Sequence, residues 1–127
     1  SPTETLIEGV VEAAQWLTDR GITVIALTDN LRSEDNLLEC LDDSEPGGHC
    51  VLEESQYFGP RDLTEPLAEI EGVHVIDMRD AYCTGGKCST LIGNIYVYLD
   101  NNHVTTTYSQ TVAPFFSQRV AAALGLE

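Results

Sequence analysis

Positive charge is scarce in this sequence: six lysines and arginines stand against 21 aspartates and glutamates, for a formal net charge of −15 at pH 7. That balance repels phosphate backbones and anionic lipid headgroups, which makes nucleic acid a poor partner. Long hydrophobic runs are missing too. No stretch approaches the roughly 20 apolar residues that a membrane-spanning helix needs, and no signal peptide stands at the front. Internal repeats and low-complexity segments are absent. The chain opens on Ser1-Pro2 and not on Met, which points to a piece excised from a longer protein.

What is present suffices for a globular fold. The 127 residues suit one domain or part of one, and 43% of them are hydrophobic. The acidic residues are interspersed with no long block, the pattern of a solvated surface and not of a tail.

Four cysteines fall into two short-range pairs, Cys40 with Cys50 and Cys83 with Cys88. The first pair brackets Asp42-Asp43-Ser44-Glu45-Pro46-Gly47-Gly48 and the second Thr84-Gly85-Gly86-Lys87, both rich in residues that turn the chain back on itself. Short-loop disulfides suit this pattern, and each would stabilise the fold by roughly 2–3 kcal/mol. A four-thiolate zinc site and free thiols are the alternatives; the wide gap between Cys40 and Cys50 fits the tight knuckles of a zinc site poorly. Disulfides would place the chain in an oxidising compartment.

Along the chain, Ser1-Pro2-Thr3-Glu4 reads as a capping box with Pro at the first helical position. Leu6, Ile7, Val10, Val11, Ala14 and Leu17 follow at helical spacing, Trp16 at the stripe's edge reads as packing, and Gly21 closes the helix. Residues 22–27 form a nearly continuous β-branched apolar run, as in a strand covered on both faces of a parallel sheet. Helix followed by such a strand points to an α/β architecture. Residues 33–41 read as a short helix with Ser33, Asp35 and Asn36 as candidate caps. Residues 51–58 lead to a helix over 61–70 that Pro66 limits or kinks.

A second buried-type strand covers 73–78, with His74 inside it as a packing residue; His49 carries no further signal. A third strand covers 95–99, and a helix covers 112–124. Asp29 and Asp77 end two of the strands. At that edge of an open α/β sheet ligands bind, but such residues equally cap a turn, and Asp77 could pair with Arg79. The Asn101-Asn102 pair between two β-branched stretches resembles a hairpin turn, and local propensity slightly favours it over a loop entering the last helix.

Asp100 and His103 stand three residues apart in a polar stretch after a buried strand. A carboxylate at that spacing can fix the tautomer of the imidazole, and a histidine so held can deprotonate a hydroxyl and later protonate a leaving group. The spacing alone is a weak signal.

The surroundings carry more. Asp77-Met78-Arg79-Asp80-Ala81-Tyr82-Cys83, Lys87-Cys88, Ile92-Gly93-Asn94-Ile95-Tyr96-Val97-Tyr98, the Asp100 to His103 stretch and Thr105-Thr106-Thr107-Tyr108-Ser109-Gln110-Thr111-Val112-Ala113-Pro114 form a series. From about Ile22 onward it resembles the C-terminal part of the SGNH-type hydrolase domain fused to bacterial acyltransferase-3 membrane acyltransferases. The resemblance implies a three-layer α/β/α, flavodoxin-like parallel sheet, of which this chain would be the C-terminal portion. It implies His103 as general base, Asp100 as its orienting partner, disulfides Cys40–Cys50 and Cys83–Cys88, and a loop into a helix after Asn101 in place of the hairpin.

No cofactor and no metal is implied. The implied partners are a cell-envelope glycan or other acyl acceptor and the membrane acyltransferase domain of the same parent, on the extracytoplasmic side. Exposed sheet edges would favour self-association into a homo-oligomer. The family's nucleophilic serine sits in a Gly-Asp-Ser block that this sequence lacks; in the family it lies N-terminal to this stretch. The chain alone is therefore expected to be inactive. The rival expectation is a non-catalytic exported binding or interaction module of a membrane acyltransferase.

Overall fold

The computed structural model describes residues 1–34, 36–42, 50–57 and 63–126. Helix α1 spans Pro2–Thr18 and starts as its sequence dictates: the Ser1 side chain accepts from the Glu4 amide, and Glu4 reaches back to the Ser1 amino group. Its Val10–Val11–Ala14 stripe faces inward. Trp16 does not join it. That side chain is 55% exposed and lies under the Arg20 guanidinium, 3.7 Å from the ring centroid, because it projects from the flank of the stripe.

Strand β1 (Val24–Leu27) pairs in parallel with β3 (Val73–Ile76), in register from Val24 opposite Val73 to Leu27 opposite Ile76. Ile22 lies outside β1, and half-buried His74 sits opposite Ile25 as a packing residue. Between these strands come α2 (Leu37–Asp42), β2 (Val51–Glu53), α3 (Glu54–Tyr57) and α4 (Thr64–Leu67). Helix α2 starts at Leu37, later than the 33 expected, with the Asn36 side chain accepting from the Glu39 amide. Asp35, the other candidate cap, lies outside the described residues, as do His49 and most of the first cysteine loop. The helix expected over 61–70 is only the single turn of α4 within the described residues; its first two residues lie outside them.

After β3 the chain becomes compact and irregular. A 3-10 turn (Arg79–Ala81) leads to β4 (Cys83–Thr84) and β5 (Lys87–Ser89), an antiparallel hairpin through Gly85 and Gly86, both at positive φ. Two successive positive-φ residues are what a type I′ turn needs, and glycine supplies them without steric cost. β5 also pairs with β2. A second hairpin joins β6 (Leu91–Ile92) and β7 (Ile95–Tyr96). The expected strand over 95–99 is thus two residues of an antiparallel hairpin, with no place in the parallel pair.

The final helix, α5 (Thr106–Leu124), begins six residues earlier than the expected 112 and runs through Pro114. Its start is set by the Thr105 side chain, which accepts from the Tyr108 amide while its own hydroxyl donates to the Tyr96 carbonyl. The β-branched Thr105-Thr106-Thr107 stretch hides this start from a propensity reading. The described residues therefore form a mixed helix and sheet arrangement with one small parallel sheet. One core gathers Leu31, Leu37, Cys83, Cys88, Val97, Tyr98 and Tyr108; the other gathers Ala14, Ala26 and Leu67.

Candidate functional site

The Asp100–His103 turn rests on fully buried Val97 and Tyr98. Tyr98 forms an antiparallel bridge with Val104, the Leu99 amide donates to the His103 carbonyl (2.8 Å), and the Thr105 amide donates to the Val97 carbonyl (2.8 Å). A narrow hairpin neck thus closes the turn before the chain enters α5. Both expectations hold a part of this: the pairing is hairpin-like for one bridge, and the chain beyond it is helical.

Within the turn, Asp100 Oδ1 accepts from the amides of Asn102 (2.9 Å) and His103 (2.8 Å), and Oδ2 stands 2.7 Å from His103 Nδ1. The Asn102 amide, then the His103 amide, then the imidazole hold the Asp100 carboxyl down to about 2. An ionised carboxylate only accepts, so the proton on the neutral ring sits on Nδ1 and the Nε2 lone pair is left for other work. The ring is 70% exposed, which makes Nε2 accessible. This is the arrangement of an oriented proton acceptor.

The turn is also held from outside. The Asn30 side-chain amide donates to the Asn102 carbonyl (2.6 Å), the Ser33 amide to the Asn101 carbonyl (2.8 Å), and the Leu37 amide to the Asp100 carbonyl (3.3 Å). Asn101 Nδ2 donates in return to the Ser33 carbonyl (3.2 Å). All three carbonyls of residues 100–102 are thus engaged by the segment that follows β1. Downstream, Arg119 ties α5 to the end of β3: its guanidinium donates to the Asp77 carbonyl and, through two bonds of 2.7 Å, to the Asp80 carboxylate. That pair holds the Asp80 carboxyl below its ordinary value. None of these partners was legible in the sequence, because each asparagine or arginine acquires its role from a residue distant in the chain.

Asp29 and Asp77 do not join the pair. Asp29 Oδ1 accepts from the adjacent Asn30 amide (2.9 Å). Asp77 is engaged by Arg79, which donates to its carboxylate through Nη2 (2.8 Å), Nε and the backbone amide; the guanidinium hydrogen bonds keep that carboxyl low. Asp29 does line a cavity of about 540 Å³ at the carboxyl end of β1 and β3, with Leu27, Asn30, Met78, Tyr82 and Phe116. A second, of about 770 Å³, lies between the hairpins and α5. Neither is lined by Asp100 or His103.

The cysteines are joined as Cys40–Cys50 and Cys83–Cys88, with Cα atoms 6.2 and 4.0 Å apart, so the disulfide alternative is the one the structure contains. Among the described residues no cluster of three or more histidine, cysteine or acidic side chains is placed to hold a metal. A family model described as "SGNH domain (fused to AT3 domains)" matches residues 2–118. The chain belongs to this SGNH family. The match takes in α1 as well as the region from Ile22 onward, and it ends inside α5, past the Asp100–His103 turn. Membership makes this SGNH domain an acyltransferase/esterase-like module. No curated protein and no solved structure matches it.

Proposed function

We propose that this chain is the acid/base portion of an SGNH-type acyltransferase or esterase domain, with His103 as the general base and Asp100 as its orienting partner. The observation that carries the reading is the 2.7 Å contact of His103 Nδ1 with a carboxylate already fixed by two amides of its own turn. A serine from a Gly-Asp-Ser block preceding this stretch in the parent protein would supply the nucleophile. His103 Nε2 takes the serine proton as the oxygen attacks the ester carbonyl, then returns it to the departing alcohol. An acyl-serine is left behind. The acceptor, water or a second hydroxyl, gives its proton to Nε2 as it attacks, and the serine recovers one on leaving.

Three further features support this reading. His103 is exposed and outside both cavities, as expected if the facing wall of the site comes from elsewhere in the parent. β1 has β3 on one edge and no strand on the other among the described residues, which suits further parallel strands and a three-layer α/β/α sheet. Two disulfides and the family's fusion to AT3 domains suit an extracytoplasmic setting beside a membrane acyltransferase domain of the same parent. A cell-envelope glycan is then the substrate class, its hydroxyls accepting acyl groups such as acetyl or its O-acyl esters giving them up, and this chain by itself is inactive.

The test is ester turnover by the parent protein. With the serine block present, His103→Ala lowers turnover by about 10²–10⁴-fold with the fold retained. Asp100→Asn keeps an acceptor for the amides but turns a donor toward Nδ1, disfavouring the productive tautomer, and costs less than His103→Ala. Undiminished turnover in His103→Ala, or a parent with no Gly-Asp-Ser block, leaves the non-catalytic interaction module as the reading.

A further inference from the structure

Asn30 stands at the carboxyl end of β1, 72 residues before the loop it touches. Its side-chain amide has two donors and both are used, one on the Leu31 carbonyl (3.0 Å) and one on the Asn102 carbonyl (2.6 Å). The residue is not free to move away. Leu31 beside it is wholly buried in the larger core, and two positions earlier the Thr28 amide donates to the Ile76 carbonyl while the Thr28 hydroxyl accepts from the Met78 amide. The Asn30 amide is therefore a donor on a rigid mount.

Its target is the peptide between Asn102 and His103. That same peptide supplies the His103 amide, which donates to Asp100 Oδ1. Pulling on the carbonyl of a peptide fixes the direction of its N–H, because the group is planar. Asn30 on one side and Asp100 on the other hold this peptide plane from both ends, and the plane sets where the His103 Cα and ring project. The backbone bonds from Ser33 and Leu37 act on the two preceding carbonyls and do not reach this peptide.

We propose that Asn30 is a positioning residue for His103: its side-chain amide orients the 102–103 peptide and thereby holds the imidazole Nδ1 on the Asp100 carboxylate. This rests on Asp100 and His103 working as a pair, but it concerns a residue that hydrogen-bonds to neither side chain. Only a donor serves at this place. Aspartate has the shape of asparagine and cannot donate, so it would set a carboxylate against a carbonyl.

The experiment reads the ring nitrogens of His103 by nitrogen-15 NMR at pH 8 in this chain, in the unaltered protein and in Asn30→Ala and Asn30→Asp, with circular dichroism to follow the fold. The unaltered protein is expected to show His103 chiefly as the Nδ1–H tautomer. Both variants keep their helical signal and lose most of that preference, shifting toward the Nε2–H form that free imidazole side chains favour. Asn101→Ala, which removes only the return bond to Ser33, leaves the tautomer in place. Retention of the Nδ1–H form in both Asn30 variants overturns the proposal and spares the Asp100–His103 pair. No Nδ1–H preference in the unaltered protein overturns the pair and the proposal with it. Unfolding of both Asn30 variants also overturns it, by making Asn30 a residue of the fold and not of the site.

Discussion

The two cores of this domain are built in opposite ways. One is the regular half: α1, β1, α4 and β3 pack Ala14, Ala26 and Leu67 against Val10, Val11, Ile70, Val73 and Val75. The other takes Leu37 from the start of α2 and Tyr108 and Val112 from α5, but the rest of it is hairpins with strands of two or three residues, the Cys83–Cys88 disulfide and the turns between them. Yet it buries Leu31, Leu37, Val97, Tyr98 and Cys88 at 0–1% exposure, while the strands of the regular half remain mostly half-buried. Depth of burial does not follow regularity here. The Asp100–His103 turn is mounted on the irregular, deeply packed half, where cross-links and side-chain bonds replace a ladder as the source of rigidity.

The difference can be pressed until it breaks. Reduction of the disulfides is expected to do most, at roughly 2–3 kcal/mol for each bridge. Hydrogen exchange should then lose protection first around residues 83–98 and later in β1 and β3; equal loss in both regions would dissolve the distinction. Next comes truncation in each core. Leu31→Ala, at a site with no exposure, should cost about 3–5 kcal/mol in urea denaturation, and Leu67→Ala, at 7% exposure, about 2–3 kcal/mol. A larger loss at Leu67 would put the dominant core in the regular half.

A smaller effect concerns acid. The Asp100 carboxyl titrates near 2 in the folded protein against an ordinary 3.8, so its ionised form favours the folded turn. That contribution is present above about pH 4 and lost as the pH falls toward 2; a carbon-13 titration of Asp100 with its midpoint near 4 would contradict it. The smallest change is Tyr98→Phe. Among the described residues the Tyr98 hydroxyl is buried with no well-formed hydrogen bond; burial pushes its ionisation up, and the Leu31 backbone opposes that only slightly. Removing a buried hydroxyl with no well-formed hydrogen bond should leave stability unchanged or slightly higher, and a loss above about 1 kcal/mol in the same urea measurement would show that the Leu31 backbone is a true partner.

These contrasts also explain what could be read in advance. α1, β1 and β3 announce themselves because capping chemistry and apolar runs are local signals, and the two cysteine pairs do so because each closes over turn residues. The Asp100–His103 pair was legible because both residues lie in one short stretch. The hairpins around Gly85-Gly86 and Gly93-Asn94 were not resolved as elements, since two-residue strands have no periodicity to detect. Likewise nothing near Asn30 or Arg119 names Asn102 or Asp80 as a partner. Trp16 shows the limit of periodicity itself: a residue one step off an apolar stripe is placed by the neighbour it meets, here Arg20, and not by its hydrophobicity.

The parallel pairing of β1 with β3 has a consequence in time. It joins residues about fifty positions apart, whereas both hairpins and both disulfides close loops of ten residues or fewer. Short closures form fast and distant parallel pairings slowly. The hairpins and α5 are thus expected to assemble first, with β1 docking afterwards and bringing Asn30 against the turn as one of the last contacts to form.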